Sequence, residues 1–420
     1  MTSQEQHMMR SNVAQIPLEA IDVSDATLYQ KDSWRPFFAR LRAEDPVHWS
    51  ENDVFGGFWS VTRFEDIIAV DGNHEAFSSV PAITIGDYGD DLPVTQFIAM
   101  DPPIHDVQRA AVQDVVAPRN LAQLEGLIRQ RVGDILDGLP LGETFNWVEK
   151  VSINLTTQML ATIFDFPFED RHKLPYWSDM ATSLPDATGS DGDVDARTVA
   201  LQECLTYFTE LWHQRKNNPP DTMDLISLLA TNPATRNMVD DPLEYLGNLI
   251  LLIVGGNDTT RNSITGGVLA LHKHPDQFTK LRSDLNLIPS MVSEVIRWQT
   301  PLMHMRRIAT REIELGGKTI RKGDKVVMWY LSGNHDETAI DQPNEFIIDR
   351  TNPRYHLSFG FGIHRCMGNR LGEMQLRVLW EEILKRFSKV EVIGEPERVL
   401  SNFVRGYSAL PVRLHGLSSF

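Results

Sequence analysis

The chain has 420 residues, 42% apolar and 23% charged, a balance that fits a globular protein and excludes a wholly disordered or collagen-like one. Against 57 Asp and Glu stand 40 Lys and Arg, a net charge of -17, which argues against a nucleic-acid partner because phosphate contacts need a basic surface. The only cysteines, Cys204 and Cys366, lie far apart without a Cys-x-x-Cys, so neither a disulfide framework nor a cysteine-built zinc site fits.

The first residues lack the apolar core of a signal segment. Residues 1–15 read as a flexible lead-in to one unit over 16–420. Pro46-Val-His-Trp49 and Phe58-Trp-Ser-Val-Thr62 read as strands around a turn-rich stretch at 51–57. Residues 183–195 are polar and rich in Gly, Asp and Pro, which predicts a surface loop and a candidate lid. From 242 to 274 the helical period takes over. Leu243, Leu246, Leu249, Ile250 and Ile253 recur at three- and four-residue steps. Gly255-Gly256 interrupts this helix, and each glycine costs about 1 kcal/mol relative to alanine. The longest apolar run, 249–254, is too short to span a bilayer, so the expectation is a cytoplasmic protein without a membrane anchor. Between 313 and 328 strand and turn chemistry alternate. A final amphipathic helix follows Cys366, with Leu371, Met374 and Val378 on one stripe and Leu376, Leu379, Ile383 and Phe387 on another. The sum is a mainly α fold with a smaller β portion.

The most specific stretch is Phe359-Gly-Phe-Gly-Ile-His-Arg-Cys366-Met-Gly368. A lone cysteine is usually an inert hydrophobe. One at the start of a helix meets free N–H groups and a dipole that favour the thiolate. Gly362 and Gly368 bracket it, so that a flat ligand can approach the backbone. Three other pairs stand out. His105 and Arg109, just after Asp101-Pro-Pro103, share a helix face. Asp258 and Thr259 follow the two glycines, and a mid-helix threonine tends to bond back to the carbonyl four residues earlier, here Gly255. Glu294 and Arg297 sit one turn apart, worth only about 0.2–0.5 kcal/mol if exposed. No His-Glu-x-x-His, Walker A or Gly-x-Ser-x-Gly occurs, which removes the main supports of hydrolase and nucleotide-dependent readings.

The cysteine stretch resembles the ligand loop of the cytochrome P-450 superfamily, Phe-x-x-Gly-x-(Arg/His)-x-Cys-x-Gly, filled by Phe359, Gly362, His364, Cys366 and Gly368. Glu294-Val-Ile-Arg297 is similar to its Glu-x-x-Arg. Gly255-Gly-Asn-Asp-Thr259-Thr is similar to its oxygen-binding helix segment, and His105-Asp-Val-Gln-Arg109 to its His-x-x-x-Arg. The resemblance implies a single-domain fold with haem b between the long central helix and the ligand loop. Cys366 would be the axial iron ligand, the thiolate favouring O–O cleavage. His105, Arg109, Gly255, Gly256, Arg307, Phe359, His364 and Gly368 would contact the cofactor, the cations serving its propionates. Arg306 is an alternative to Arg307, but the spacing to Ala309 favours Arg307. Asp258 and Thr259 would be the catalytic acid–alcohol pair, and Glu294 and Arg297 structural. Two departures are Val116-Ala117-Pro118 for aromatic–Thr/Ser–Pro, and Gly333-Asn-His-Asp336 for Ala-Asn-Arg-Asp.

At a finer level, the segments 249–263 and 356–370 and the stretch around Asp45-Pro-Val-His48 resemble the soluble bacterial alkane hydroxylases of this superfamily. That implies a medium-chain alkane or fatty-acid substrate attacked at or near its end. Phe97, Ile98, Leu251, Val254, Met303, Met305, Phe403 and Val404 are the expected pocket residues. All are apolar, as suits a ligand without polar handles; His304 is the one polar neighbour. The partners implied are a ferredoxin and an NAD(P)H-dependent ferredoxin reductase, met by a monomer without bound flavin or an attached reductase domain. Arg365, Arg370 and Arg377 are candidates for a basic docking patch. The alternatives are a hydroxylase of another hydrophobic substrate such as a terpene, and a non-catalytic haem binder. Asp258 and Thr259 speak against the latter, which needs no proton relay.

Overall fold

The computed structural model describes residues 13–87, 94–182, 194–218 and 224–417. Helices dominate the described residues, and small sheets make up the remaining regular structure. Residues 1–12 of the expected lead-in and 183–193 of the expected lid loop 183–195 lie outside the described residues; the last two positions of that loop instead open the helix Val194–Asn217. Just after residues 1–12, Val13 is buried, and its carbonyl accepts a 2.8 Å bond from Arg40.

The axis of the molecule is the helix Pro242–Lys273. The Asp241 carboxylate caps it, accepting from the N–H groups of Leu243 and Glu244 at 3.2 Å. Pro242 fills the first position, where a missing N–H costs nothing. Leu246, Leu249 and Ile253 of the expected stripe are buried. From Asn262 to Leu271 every residue is buried, so the helix passes through the protein rather than lying on it. The helices Asn154–Ile163, Lys173–Thr182, Ile288–Gln299 and Asn369–Arg386 pack around it. The last of these starts three residues after Cys366 and ends at Arg386, one residue before the expected Phe387. Phe387 is extended and opens a strand, Phe387–Val392, of a three-stranded sheet with Thr144–Asn146 and Pro411–Gly416.

A five-stranded sheet covers the other side. Its order is Val47–Ser50, Phe58–Val61, Lys325–Met328, Met305–Ala309 and Phe77–Ser78. The first two form the expected antiparallel pair, and Phe58–Val61 runs parallel to Lys325–Met328. Met305–Ala309 lies between Lys325–Met328 and Phe77–Ser78. Because side chains alternate along a strand, this element decides which arginine reaches the centre. No helix of the described residues is long and apolar enough to cross a membrane.

Glu294 and Arg297 are 0% and 1% exposed. Two parallel bonds of 2.7 and 2.8 Å join them. Arg297 also donates to the carbonyls of Asn334 at 2.7 Å and Pro343 at 2.9 Å. Glu294 accepts from the Ile347 N–H and from Arg350, both at 2.9 Å. The pair ties a helix to two stretches of irregular backbone, and in doing so stiffens the frame behind the ligand loop. Truncating one partner of such a buried pair costs about 3–5 kcal/mol, because the other charge is stranded. Arg297→Ala should lose stability on that scale. Arg297→Lys should recover only a minor part, since an ammonium cannot reproduce the planar fork. Guanidinium unfolding of both variants checks this; a near-neutral lysine variant would contradict the account.

Candidate functional site

Between the central helix and the cysteine loop lies a cavity of about 310 Å³. Leu251, Val254, Gly255, Gly256 and Thr259 line it from the helix, and Phe359, Cys366 and Gly368 from the loop. Cys366 is exposed to this cavity. Its N–H donates to the Phe359 carbonyl at 2.8 Å, which folds the loop back on itself. Crowding by protein atoms pushes the thiol up, while the N–H groups of Gly368 and Asn369 and the charges of Arg109 and Arg365 pull it down. A coordinated metal ion would override this balance and deprotonate the sulfur outright. Cys204, by contrast, is fully buried, and burial drives its thiol far above the ordinary range. It is an inert core residue.

Three glycines divide their roles. At Gly255 a Cβ would meet no atom within 4 Å, so this residue opens the helix wall to the cavity. Gly256 also lines the cavity, but a Cβ there would lie 2.7 Å from a Leu160 methyl. Its smallness serves the packing of the helix Asn154–Ile163. Gly362 has φ of +68°, and a Cβ would stand 2.4 Å from the Asp71 carbonyl oxygen. The loop needs glycine there to turn and to dock on the end of the helix Phe64–Asp71. The close approach at Gly362 is therefore to protein backbone rather than to a flat ligand.

One edge of the cavity is cationic. Arg109, Arg307 and His364 line it, and the ring of His105 lies 4.2 Å from that of His364, centroid to centroid. Along the strand Met305–Ala309, Met305 and Arg307 face the cavity. Arg306 points the other way and pairs with Asp87 at 2.6 Å, which resolves the choice between the two arginines. His105 Nδ1 bonds Asp106 at 2.8 Å, and His364 Nε2 bonds the Ser79 hydroxyl at 2.8 Å. The remaining nitrogens, His105 Nε2 and His364 Nδ1, are buried with no partner among the described residues. Burial holds both rings below the ordinary imidazole range. Orphaned buried polar atoms cost about 1–3 kcal/mol each, so their convergence beside two guanidinium groups fits an anionic edge of a bound group. A Ser79 hydroxyl donating to Nε2 leaves His364 with Nδ1–H to offer. The thiol in front, the glycine-opened helix behind and the cations at one rim together fit a haem with its propionates at that rim.

Thr259 lies on the cavity wall, its hydroxyl donating to the Gly255 carbonyl at 2.8 Å. Asp258 is fully buried and turned away from the cavity. It pairs with Arg261 at 2.7 Å and accepts from Ser178 at 3.2 Å. Arg261 in turn bonds Asp179 at 2.7 Å, and that side chain is 56% exposed. Burial pushes the Asp258 carboxyl up to about 6, against the pull of Arg261. The two neighbours in sequence thus face opposite sides of one helix turn: an alcohol toward the cavity and an acid linked to the surface.

Of the expected pocket residues, Phe97, Ile98, Leu251, Val254, Met305 and Phe403 line the cavity. Met303 and Val404 do not. Met303 packs into a separate core with Trp329 and Leu331, and Val404 bridges to Leu302, whose side chain takes the cavity position instead. Extended chain alternates its faces, so Met303 lies on the side opposite to Leu302, and Val404 on the side opposite to Phe403, which was also expected. His304 is buried and spent on backbone: Nε2 accepts from the Ile85 N–H at 3.1 Å, and Nδ1 faces the Asn402 carbonyl at 3.1 Å. Burial lowers it to about 3, so it remains neutral. Arg377 is paired with Glu125 and Glu381 at 2.8 Å and is not a spare cation, whereas Arg365 and Arg370 are exposed. Sequence reasoning passed over Ser79, Tyr330 and Asp71. Each is an ordinary residue distant in sequence from the loop, and only its contacts show its place.

The family model described as cytochrome P450 matches residues 127–406. Linalool 8-monooxygenase of Pseudomonas putida is 34% identical, over 94% of this chain and 99% of its own. The methyl-branched lipid omega-hydroxylase of Mycobacterium bovis is 32% identical, over 94% and 96%. Among solved structures, cytochrome P450-153 from Novosphingobium aromaticivorans superposes with a TM-score of 0.88 at 45% identity, covering 94% of this chain and 99% of that one.

The raised carboxyl has a measurable consequence. Between the ordinary value of 3.8 and about 6, the folded Asp258 holds a proton that the unfolded chain has lost. Its contribution to stability is therefore greatest at the acid end of that window and falls as pH rises through about 6. The stability of the parent relative to Asp258→Asn should therefore fall over that range. Guanidinium unfolding at about pH 5 and at about pH 7.5 measures it; a difference constant with pH would show that Asp258 is not perturbed.

Proposed function

The chain belongs to the cytochrome P450 family, and we propose that it is a monooxygenase for medium-chain linear hydrophobic molecules, alkanes or fatty acids, attacked at or near the chain end. One oxygen atom of dioxygen enters the C–H bond; the other leaves as water, taking two protons and two electrons. The observation that carries this reading is the cavity itself: a cysteine sulfur on one wall, a threonine hydroxyl on the helix opposite, and apolar side chains beyond. A bound haem supplies redox iron that activates dioxygen; Cys366 would hold its iron, and Arg109, Arg307, His105 and His364 its propionates.

The protein's own residues account for the rest. Thr259 presents an exchangeable hydroxyl proton to the cavity, and the carbonyl of Gly255 holds that hydroxyl in place. Asp258 reaches the surface through Arg261 and Asp179. With its pKa raised to about 6, it can take up and release protons near neutral pH. Leu251, Val254, Phe97, Ile98 and Phe403 exclude water and grip a chain without polar handles. Internal C–H bonds are weaker than terminal ones, so end selectivity must come from a wall that keeps the second carbon away. The likeness to the omega-hydroxylase supports an end-selective reading. The likeness to linalool 8-monooxygenase favours, as a second reading, a compact branched substrate such as a terpene.

We propose a ferredoxin, itself reduced by an NAD(P)H-dependent reductase, as the electron donor, meeting the protein at Arg365 and Arg370 beside the ligand loop. Its reduction rate should fall steeply with salt; a rate flat in stopped-flow across ionic strength would argue for an apolar contact.

Substrate class is tested with the holoenzyme and a series of n-alkanes, fatty acids and linalool, by binding difference spectra and gas chromatography of products. Each added methylene contributes about 0.8 kcal/mol, roughly fourfold in affinity, until the cavity is full. Terminal product should dominate, and Leu251→Ala should raise the share of subterminal product. Mid-chain attack by the parent enzyme, or tighter binding of linalool than of any linear chain, would favour the second reading.

A further inference from the structure

Asp71 ends the helix Phe64–Asp71 and is 2% exposed. It serves three elements at once. One carboxylate oxygen pairs with Arg307 at 2.7 Å. The other accepts from the Tyr330 hydroxyl at 2.7 Å and from the Phe361 N–H at 2.8 Å. The Asp71 carbonyl presses on Gly362 so closely that no Cβ fits between them. Phe361 and Gly362 lie five and four residues before Cys366 in the same loop. Arg307 lines the cationic rim, and its other terminal nitrogen bonds its neighbour's carbonyl at 2.8 Å. The carboxylate thus bridges Arg307 to the cysteine loop, while the other rim arginine, Arg109, reaches that loop directly at the Arg365 carbonyl.

We propose that Asp71 is a positioning residue that sets the register of the Cys366 loop against Arg307, and that its charge makes the haem harder to reduce. Two physical effects follow from the same atoms. The bonds to Phe361 and Arg307 fix the separation between the sulfur and the propionate partner. The charge, held in a dry environment, offsets the positive field of Arg307 at the rim; without it that field is larger, and an added electron on the haem is better stabilised. Charge and hydrogen bonding around a haem are recognised levers on its potential. A carboxylate acting only as mortar would need none of this electrostatics.

The inference rests on the haem-thiolate reading, and the experiment separates the two. The holoenzyme, Asp71→Asn and Tyr330→Phe are compared by spectroelectrochemical titration and by the rate of haem transfer to apomyoglobin. Asp71→Asn keeps the size but removes the charge. It should shift the reduction equilibrium toward the ferrous form by about tenfold, about 59 mV for one electron, and lose haem several-fold faster. Tyr330→Phe removes one bond to the carboxylate and leaves its charge less neutralised, so its potential should fall. An unmoved potential in Asp71→Asn, or a rise in Tyr330→Phe matching it, would overturn the proposal in favour of a purely structural carboxylate. If Asp71→Asn does not retain haem, Tyr330→Phe decides alone: a fall supports the proposal, and no change or a rise overturns it. A parent protein that takes up no haem when supplied with it would instead bring down the haem reading itself.

Discussion

One thiol held open to an apolar cavity is the constraint on which the rest of the structure turns. Cysteine sulfur prefers to be buried and neutral, as Cys204 is. To keep Cys366 facing a cavity, the loop around it must be held from several sides. The Cys366 N–H binds the Phe359 carbonyl, Gly360 and Gly362 take positive φ values of +65° and +68°, and Asp71 grips Phe361. The buried Glu294–Arg297 pair stiffens the irregular backbone nearby. The long central helix supplies the facing wall, and Gly255 leaves room in it.

Charge is distributed with the same economy. A chain with a net charge of -17 gathers Arg109, Arg307 and two histidines at a single rim of its cavity. Elsewhere arginines such as Arg129 and Arg377 are matched by carboxylates, here Glu125 and Glu381. The nitrogens of His105 and His364 left without partners among the described residues fit a complementary anion at that rim. On the opposite side of the central helix, Asp258, Arg261 and Asp179 form a charged line to the surface. The cavity is thus apolar along its length, cationic at one rim, and separated by a single helix turn from a chain of ion pairs that reaches the surface.

What was legible in the sequence was whatever is local. The ligand loop carries its residues within ten positions, and the central helix announces itself by its apolar period. The Val47–Ser50 and Phe58–Val61 pair was readable from its turn. What depends on the face of extended chain was not. Met303 was chosen where Leu302 lines the cavity, and of the expected pair Phe403 and Val404 only Phe403 does. The three-stranded sheet of Thr144–Asn146, Pro411–Gly416 and Phe387–Val392 joins segments too far apart for any local pattern to pair. Gly256 and Gly362 were noticed as glycines, yet their reasons, Leu160 and the Asp71 carbonyl, are tertiary. Asp71 itself has no motif; its significance lies in meeting Arg307 and Phe361 across more than two hundred residues of chain.

Cys366 is the residue that would hold the haem iron, and the site around it depends on that role. The most direct measurement is the visible spectrum of the reduced protein under carbon monoxide, for the parent, Cys366→Ala and Cys204→Ala. Thiolate ligation by Cys366 predicts the strongly red-shifted Soret band in the parent and in Cys204→Ala, and its loss in Cys366→Ala. A band that survives in Cys366→Ala, or that disappears only in Cys204→Ala, would contradict it.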